Sequence, residues 1–389
     1  MRMAAIAALA LLAPVPAAEA TEVGAVPAGR VLTAGPVFAG RVALWLETDD
    51  RGALDLARGG IPWRVAVVGA PPGRRRHEIL DLSASARLVA LVRSVVLPAP
   101  PGPPCDVACP LSPAPPPRAV VDEVWAGPPS GPLRRVVVRT ARQQCGGALV
   151  PRQVEVVGGT VLVGEARNRR AIVCRRPARP RMTGRVLAVS PAGGARVLAT
   201  MRRGRAPGRL AAEGRWVAWR TRADLRGAVV VLDRRTSRVA YRIEARRFAA
   251  KSFDVDASGR AALSGAERAA YPCGPNEPRF VHRLAIASPA GDRLRVLDDR
   301  AGAELVSLSR GRIVWIGVEP LCLSAIGPVA RRIAGGFGPL RRFALPCTYT
   351  FADLRRPPFD GSRLAVASLA PSCPVRQEEF RAIHTAPLL

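Results

Sequence analysis

Short apolar runs punctuated by glycine dominate this chain. The same order recurs along it: a turn residue, usually Gly, then Arg or a polar residue, then a few apolar positions that often end in Trp. It reads Gly40-Arg41-Val42-Ala43-Leu44-Trp45, Gly159-Thr160-Val161-Leu162-Val163, Gly214-Arg215-Trp216-Val217-Ala218-Trp219, Gly259-Arg260-Ala261-Ala262-Leu263, Gly311-Arg312-Ile313-Val314-Trp315 and Gly361-Ser362-Arg363-Leu364-Ala365-Val366. Runs of this length, bounded by Gly and Pro, predict β-strands. Their spacing of roughly 50 residues marks a repeat architecture.

One unit shows the full pattern. Ser252 to Asp256 is a strand, Ala257-Ser258-Gly259 a turn, and Arg260 to Ser264 a second strand. After a long loop, His282 to Ala287 and Arg293 to Leu297 form a third and fourth strand around the turn Ser288-Pro289-Ala290-Gly291. The hairpin of third and fourth strands recurs at 185–200 and 228–243. Four antiparallel strands per unit make a propeller blade. Arg87-Leu88-Val89-Ala90-Leu91 fits the second strand without its glycine, so second strands begin near positions 41, 87, 160, 215, 260, 312 and 363. The fold predicted is an all-β, single β-propeller of seven four-stranded blades.

Six blades remain an alternative, because with a third strand placed after Trp63, the segment His77 to Ser83 must serve as both a fourth strand and the next first strand. The final unit supplies a second strand at Leu364 to Ser368 and a third at Glu379 to His384, and no fourth. Arg30-Val31-Leu32-Thr33 matches the fourth-strand pattern Arg196-Val197-Leu198-Ala199, which predicts that an N-terminal strand closes the ring and covers its open edge. This arrangement resembles the WD-repeat and Tol-B-type propellers, as do the turns Phe359-Asp360-Gly361-Ser362-Arg363 and Asp256-Ala257-Ser258-Gly259-Arg260. The resemblance implies an architecture and no catalytic motif; the Gly-His and Trp-Asp marks of WD repeats are missing.

The ring sorts the loops. First-to-second and third-to-fourth links are tight turns on one face. The long segments 47–62, 98–118, 165–184, 266–281 and 317–323 fall on the other, the second of them a proline-rich insertion. Long loops on a rigid scaffold are where binding function concentrates.

Residues 1–20 read as a secretory signal peptide, with Arg2, the apolar run Ala4 to Ala13 and the small-residue site Ala18-Glu19-Ala20; residues 21–389 form the propeller domain. A retained single-span anchor is the alternative. Export to an oxidising compartment makes disulfides the default for Cys105, Cys109, Cys145, Cys174, Cys273, Cys322, Cys347 and Cys373, all on the long-loop face, and their pairing is open. A metal site would need helping histidines, and His77, His282 and His384 sit at no zinc spacing.

The net charge of +29 points towards polyanions. Lys251 is the only lysine beside 58 arginines, a coding-bias signature, and no aromatic residues interleave with the arginines to stack bases. Nonspecific polyanion attraction is therefore expected, and nucleic acid is not.

A carboxylate follows the second strand in four units, at Glu47, Glu165, Glu267 and Glu319. Converging on the channel mouth they could bind a ligand or serve as general acid and base; alternatively each pairs with an arginine. Asp254-x-Asp256-x-Ser258-Gly259 begins like a calcium loop, yet Gly265 stands where the acidic twelfth residue belongs. Nucleophile-elbow, phosphate-loop, zinc-helix and haem motifs are missing. The leading expectation is an exported, noncatalytic, monomeric binding or scaffold propeller without cofactor, its partner a protein or glycan of the cell envelope. The alternative is a secreted carbohydrate-active or other hydrolytic enzyme.

Overall fold

The computed structural model describes residues 21–60, 64–69, 77–97, 119–142, 149–167, 183–202, 205–222, 224–268, 280–298, 302–318, 325–332, 341–343, 359–368 and 382–387. Among them every regular element is a strand. Strand β1 (Thr21–Ala25) comes first and leaves its place in the order of blades. Blade 1 is β2 (Val31–Ala39), β3 (Val42–Thr48), β4 (Leu54–Arg58) and β5 (Arg64–Val68). Blade 2 is β6 (His77–Ala84), β7 (Val89–Leu97), β8 (Ala119–Gly127) and β9 (Arg134–Arg142). Blade 3 is β10 (Leu149–Val157), β11 (Thr160–Arg167), β12 (Gly184–Val189) and β13 (Ala195–Met201). Blade 4 is β14 (Leu210–Glu213), β15 (Trp216–Arg220), β16 (Val229–Asp233) and β17 (Arg238–Ile243). Blade 5 is β18 (Ala250–Val255), β19 (Ala261–Arg268), β20 (Phe280–Ser288) and β21 (Gly291–Asp298). Blade 6 is β22 (Gly302–Ser309), β23 (Arg312–Val318), β24 (Ala325–Arg332) and β25 (Arg341–Arg342). Blade 7 holds β26 (Arg363–Ser368) and β27 (Ala382–Pro387), with Phe359 bridged to Leu364 on the inner side of β26.

Six sheets thus have four strands in sequence order, and the seventh runs β1-β27-β26. The protein is a seven-bladed β-propeller closed by its N-terminal strand. Every blade packs its neighbour through one apolar cluster, giving seven clusters around the ring among the described residues. The smallest of them, Val26, Trp45 and Ala57 with Val23 and Leu32, joins the last blade to the first.

Burial explains why the second strands are so visible in the sequence. Each is sandwiched between two blades, so both of its faces need apolar residues. All five residues of β15 are buried, as are Val161, Leu162 and Val163 of β11 and Leu364, Ala365 and Val366 of β26, each at 0% exposure. Fourth strands lie at the rim, where Val197 and Val239 are half exposed and the apolar signal fades. In blade 4 the tight turn Gly214-Arg215 requires a left-handed first residue, which Gly214 supplies at φ 58. Blade 2 lacks the glycine and uses Ser85 instead, whose Oγ accepts the N–H groups of Arg87 at 3.4 Å and Leu88 at 3.2 Å.

Two expectations need correction. The closing strand is β1, and Arg30 to Thr33 instead opens β2 of blade 1. The reason is local packing: Gly24 lies flat against the Trp45 indole, and a Cβ there would stand 2.5 Å from its ring. The turn that follows, with Arg30 N–H donating to the Pro27 carbonyl, separates β1 from β2. Blade 1 also finds its third strand earlier, at Leu54–Arg58 inside the segment read as a long loop. Asp49 makes this possible by accepting the N–H groups of Arg51 and Ala53 at 3.0 and 2.8 Å, which tightens the link after β3. Arg64–Val68 then supplies a separate fourth strand, so β6 is free to begin blade 2 and the count is seven.

Candidate functional site

The innermost strands of all seven blades enclose a central channel with a cavity of about 190 Å³. Its wall carries Asp81, Glu155, Glu213 and Asp254 against a single arginine, Arg209. A protein of net charge +29 therefore encloses an acidic channel. The carboxylates stand on strands that read as buried, two residues from another polar group: Asp81 with Ser83 on β6, Ser252 with Asp254 on β18.

These pairs stitch one blade to the next. An innermost strand presents an open edge of N–H groups to the channel, which is costly to leave unpaired. Asp81 Oδ2 accepts the Val154 N–H at 2.8 Å and Ser83 Oγ accepts that of Val156 at 3.0 Å, joining β6 to β10. Ser252 Oγ accepts the Val306 N–H at 3.1 Å, while Asp254 Oδ2 accepts the Leu308 N–H at 2.8 Å and the Ser307 hydroxyl at 3.1 Å, joining β18 to β22. The Arg209 guanidinium donates to Ser252 Oγ at 2.5 Å and lies over the Phe253 ring at 5.4 Å. Ser83 donates to Glu155 Oε1 at 3.3 Å.

The carboxylates singled out by position lie elsewhere. Glu47 falls within β3 and Glu165 within β11; both are fully buried, and neither lines the channel. Glu47 accepts the Trp45 indole N–H at 2.7 Å and the Arg64 Nε–H at 2.5 Å. Arg64 in turn donates to the Ala25 carbonyl of β1 at 2.6 Å, so this carboxylate orients the cation that holds the closing strand. Glu165 accepts Arg139 Nε–H of blade 2 at 3.0 Å and Arg185 of blade 3, tying those blades together at the outer part of the sheet. Glu267 falls on β19, with its side chain outside the described residues, and Glu319 lies wholly outside them. The same holds for all eight cysteines, Cys105, Cys109, Cys145, Cys174, Cys273, Cys322, Cys347 and Cys373, and for residues 1–20 and 98–118.

Sequence position alone missed Glu123, a buried carboxylate in β8. Burial pushes its carboxyl up, but hydrogen bonds from Trp125, Arg93 and Arg135 outweigh that and hold it below the usual carboxylate range. The calcium-like register proves to be a turn. Asp256 Oδ1 accepts the Ser258 N–H, its hydroxyl and the Arg260 N–H at 2.9, 2.6 and 3.0 Å, and Oδ2 accepts Arg260 Nε–H at 2.8 Å. Among the described residues no three His, Cys, Asp or Glu side chains are grouped so as to hold a metal ion. The signal that would have found the channel residues is polar residues two apart inside an otherwise buried first strand.

No family model and no curated protein matches the sequence. Among solved structures, the chain is similar to YCF48 bound to a D1 peptide, at 8% identity and a TM-score of 0.46, over 95% of this chain and 94% of that one. It is similar to a prolyl endopeptidase at 10% identity and a TM-score of 0.45, over 94% of this chain and 47% of that one. It is also similar to the polysaccharide lyase Uly1 at 9% identity and a TM-score of 0.44, over 92% of this chain and 90% of that one. The likeness is one of fold, and the assignment of the propeller rests on the ring of seven sheets itself.

Proposed function

We propose that this protein is a noncatalytic binding or scaffold propeller, exported by a leader at residues 1–20, that engages a protein or glycan of the cell envelope with its long-loop face. One observation carries the noncatalytic part. Glu47 and Glu165, two of the four carboxylates singled out by sequence, are each held by arginine in a structural tie. A general acid or base needs a proton it can exchange with substrate; Glu47, held by Arg64 and the Trp45 indole, and Glu165, held between Arg139 and Arg185, are both at 0% exposure and have no route to one. The channel adds to this reading. Its cavity of about 190 Å³ lies below the ~300–1,000 Å³ usual for small-molecule sites. Asp81 and Asp254 there are engaged by backbone N–H groups of the next blade.

The binding part is supported by the asymmetry of the loops and by eight cysteines in one set of them, which disulfides would brace. Glu267 and Glu319 belong to that same face and are kept as ligand-contacting candidates.

Retention of the oxidised mature protein on its host's envelope fractions tests this. Capture that survives high salt and is lost on reduction of the disulfides supports a specific ligand on the loop face. Capture at low salt alone assigns the attraction to net charge. Failure at both salts, together with turnover of a polysaccharide or peptide substrate that Glu267→Gln or Glu319→Gln abolishes, overturns the proposal in favour of a hydrolase.

A further inference from the structure

On the tight-turn face, the seam between blades 3 and 4 opens into a cleft of about 910 Å³. Four arginines line it, Arg196, Arg215, Arg234 and Arg235, and among the described residues no carboxylate does. Arginine is so common in this chain that a cluster alone carries little information. The opposite end of the same seam supplies the comparison. A cleft of about 740 Å³ there also has four arginines, Arg202, Arg205, Arg222 and Arg242. Two of those have counter-ions, Arg222 with Asp224 at 2.9 Å and Arg242 with Glu244 at 2.6 Å.

In the first cleft the only ion pair among the described residues is long, Arg215 Nε to Asp233 Oδ2 at 3.7 Å. The Arg215 guanidinium stacks over Trp216 at 4.6 Å, which holds it in place. Arg196 reaches across the seam to donate to the Arg234 carbonyl at 3.2 Å and to the Ser237 hydroxyl at 3.4 Å. Arg234 reaches back the other way, its guanidinium standing 4.0 Å from where a Cβ on Gly158 would begin. The guanidiniums of Arg234 and Arg235 have no hydrogen bond or ion pair among the described residues. The opposite wall is glycine: at Gly159, Gly193 and Gly194 a Cβ would meet nothing within 4 Å. The result is a roomy, cation-lined groove with bare backbone on one side.

We propose that this cleft is a binding site for a ligand carrying two adjacent phosphate or sulfate groups. Each guanidinium presents a planar fork of donors that matches a tetrahedral oxyanion, and two such anions would relieve the mutual repulsion of four cations brought together. The volume falls within the ~300–1,000 Å³ range of ligand sites. The site lies on the face opposite the long loops and stands independently of the partner proposed for them.

Calorimetric titration of the mature protein with pyrophosphate, at an ionic strength held constant with chloride, tests the site. Saturable 1:1 binding is expected. Arg234→Ala with Arg235→Ala should weaken it by about tenfold or more, while Arg41→Ala with Arg87→Ala, which removes the same charge from the same face in blades 1 and 2, should change it by less than about twofold. Gly159→Glu places a carboxylate in the cleft at a position with open space and should abolish binding with an unchanged unfolding midpoint; Gly159→Gln should retain it. Parallel titrations with a doubly sulfated disaccharide identify the source: tighter binding than pyrophosphate means a sulfated glycan, weaker means a phosphate ligand, and both support the site. Binding that never saturates, or that falls equally in the Arg41 and Arg87 pair, overturns it.

Discussion

Among the described residues, four carboxylates and one arginine stand along the channel, whereas four arginines and no carboxylate line the cleft between blades 3 and 4. The two regions differ more in what their charges do than in sign. In the channel, Asp81 and Asp254 accept backbone N–H groups from the next blade and take part in closing the ring. In the cleft, the guanidiniums of Arg234 and Arg235 have no hydrogen bond or ion pair among the described residues. Charge by itself therefore says little about function in this protein. The degree to which a charged group is already engaged separates a structural residue from one available to a ligand.

The largest effect that would test this contrast lies in the channel. Asp254→Ala leaves the Leu308 N–H and the Ser307 hydroxyl without their acceptor and should cost about 3 kcal/mol, read as a lower urea midpoint at unchanged slope. Asp254→Asn keeps one acceptor oxygen and should cost about half as much. An unchanged midpoint in both variants would mean that the channel carboxylates are not structural, and the contrast would fail.

Glu165→Ala comes next. It removes a fully buried carboxylate, but Arg139 and Arg185 are 36% and 24% exposed at the side chain and can rehydrate. The loss should be about 2 kcal/mol, less than for a pair buried on both sides, again measured by urea unfolding.

Acid should act on the carboxylates that hold the fold. Burial pushes the Asp360 carboxyl up, yet hydrogen bonds from the N–H groups of Ser362 and Arg363 and from their side chains outweigh it and hold it below the usual 3.8. The unfolded chain therefore takes up the proton first as pH falls. The stabilisation is complete above the unfolded value of about 4 and is lost as pH falls through the depressed folded one. Asp360→Asn should flatten the acid limb of a stability–pH curve; an unaltered limb would assign acid sensitivity to other carboxylates.

The smallest stability effect belongs to the cleft. Arg234→Ala with Arg235→Ala should shift stability by no more than about 0.5 kcal/mol in either direction. A larger loss would show that these arginines are structural after all and erase the difference between the two regions.

How much of this was legible in the chain depended on burial. The second strands of all seven blades could be read because each is packed on both faces, so Trp45, Val163, Val217, Leu263, Val314 and Val366 sit in unbroken apolar runs. The left-handed turn that precedes most of them demands glycine, which marked the period. Blade 1 was harder, since Leu54–Arg58 is a short strand whose entry depends on the Asp49 side chain closing a turn. Closure was legible in kind and wrong in place. The N-terminal segment that completes blade 7 lies against Trp45, an approach that Gly24 permits because a Cβ there would stand 2.5 Å from the ring.

Site residues divide the same way. The sequence by itself determined the repeat, the blade order and the two kinds of loop, because these follow from periodicity and turn chemistry within a few residues. Tertiary structure alone decided that Glu47 and Glu165 meet arginines, that Asp254 meets a strand 54 positions away and that the turns of blades 3 and 4 gather four guanidiniums, of which only Arg215 has an ion pair among the described residues. With 58 arginines available, almost any carboxylate has a nearby candidate in the chain. Coulomb attraction acts over a few ångströms in folded space, so the partner is chosen by the packing of the blades and leaves no mark in the spacing of residues.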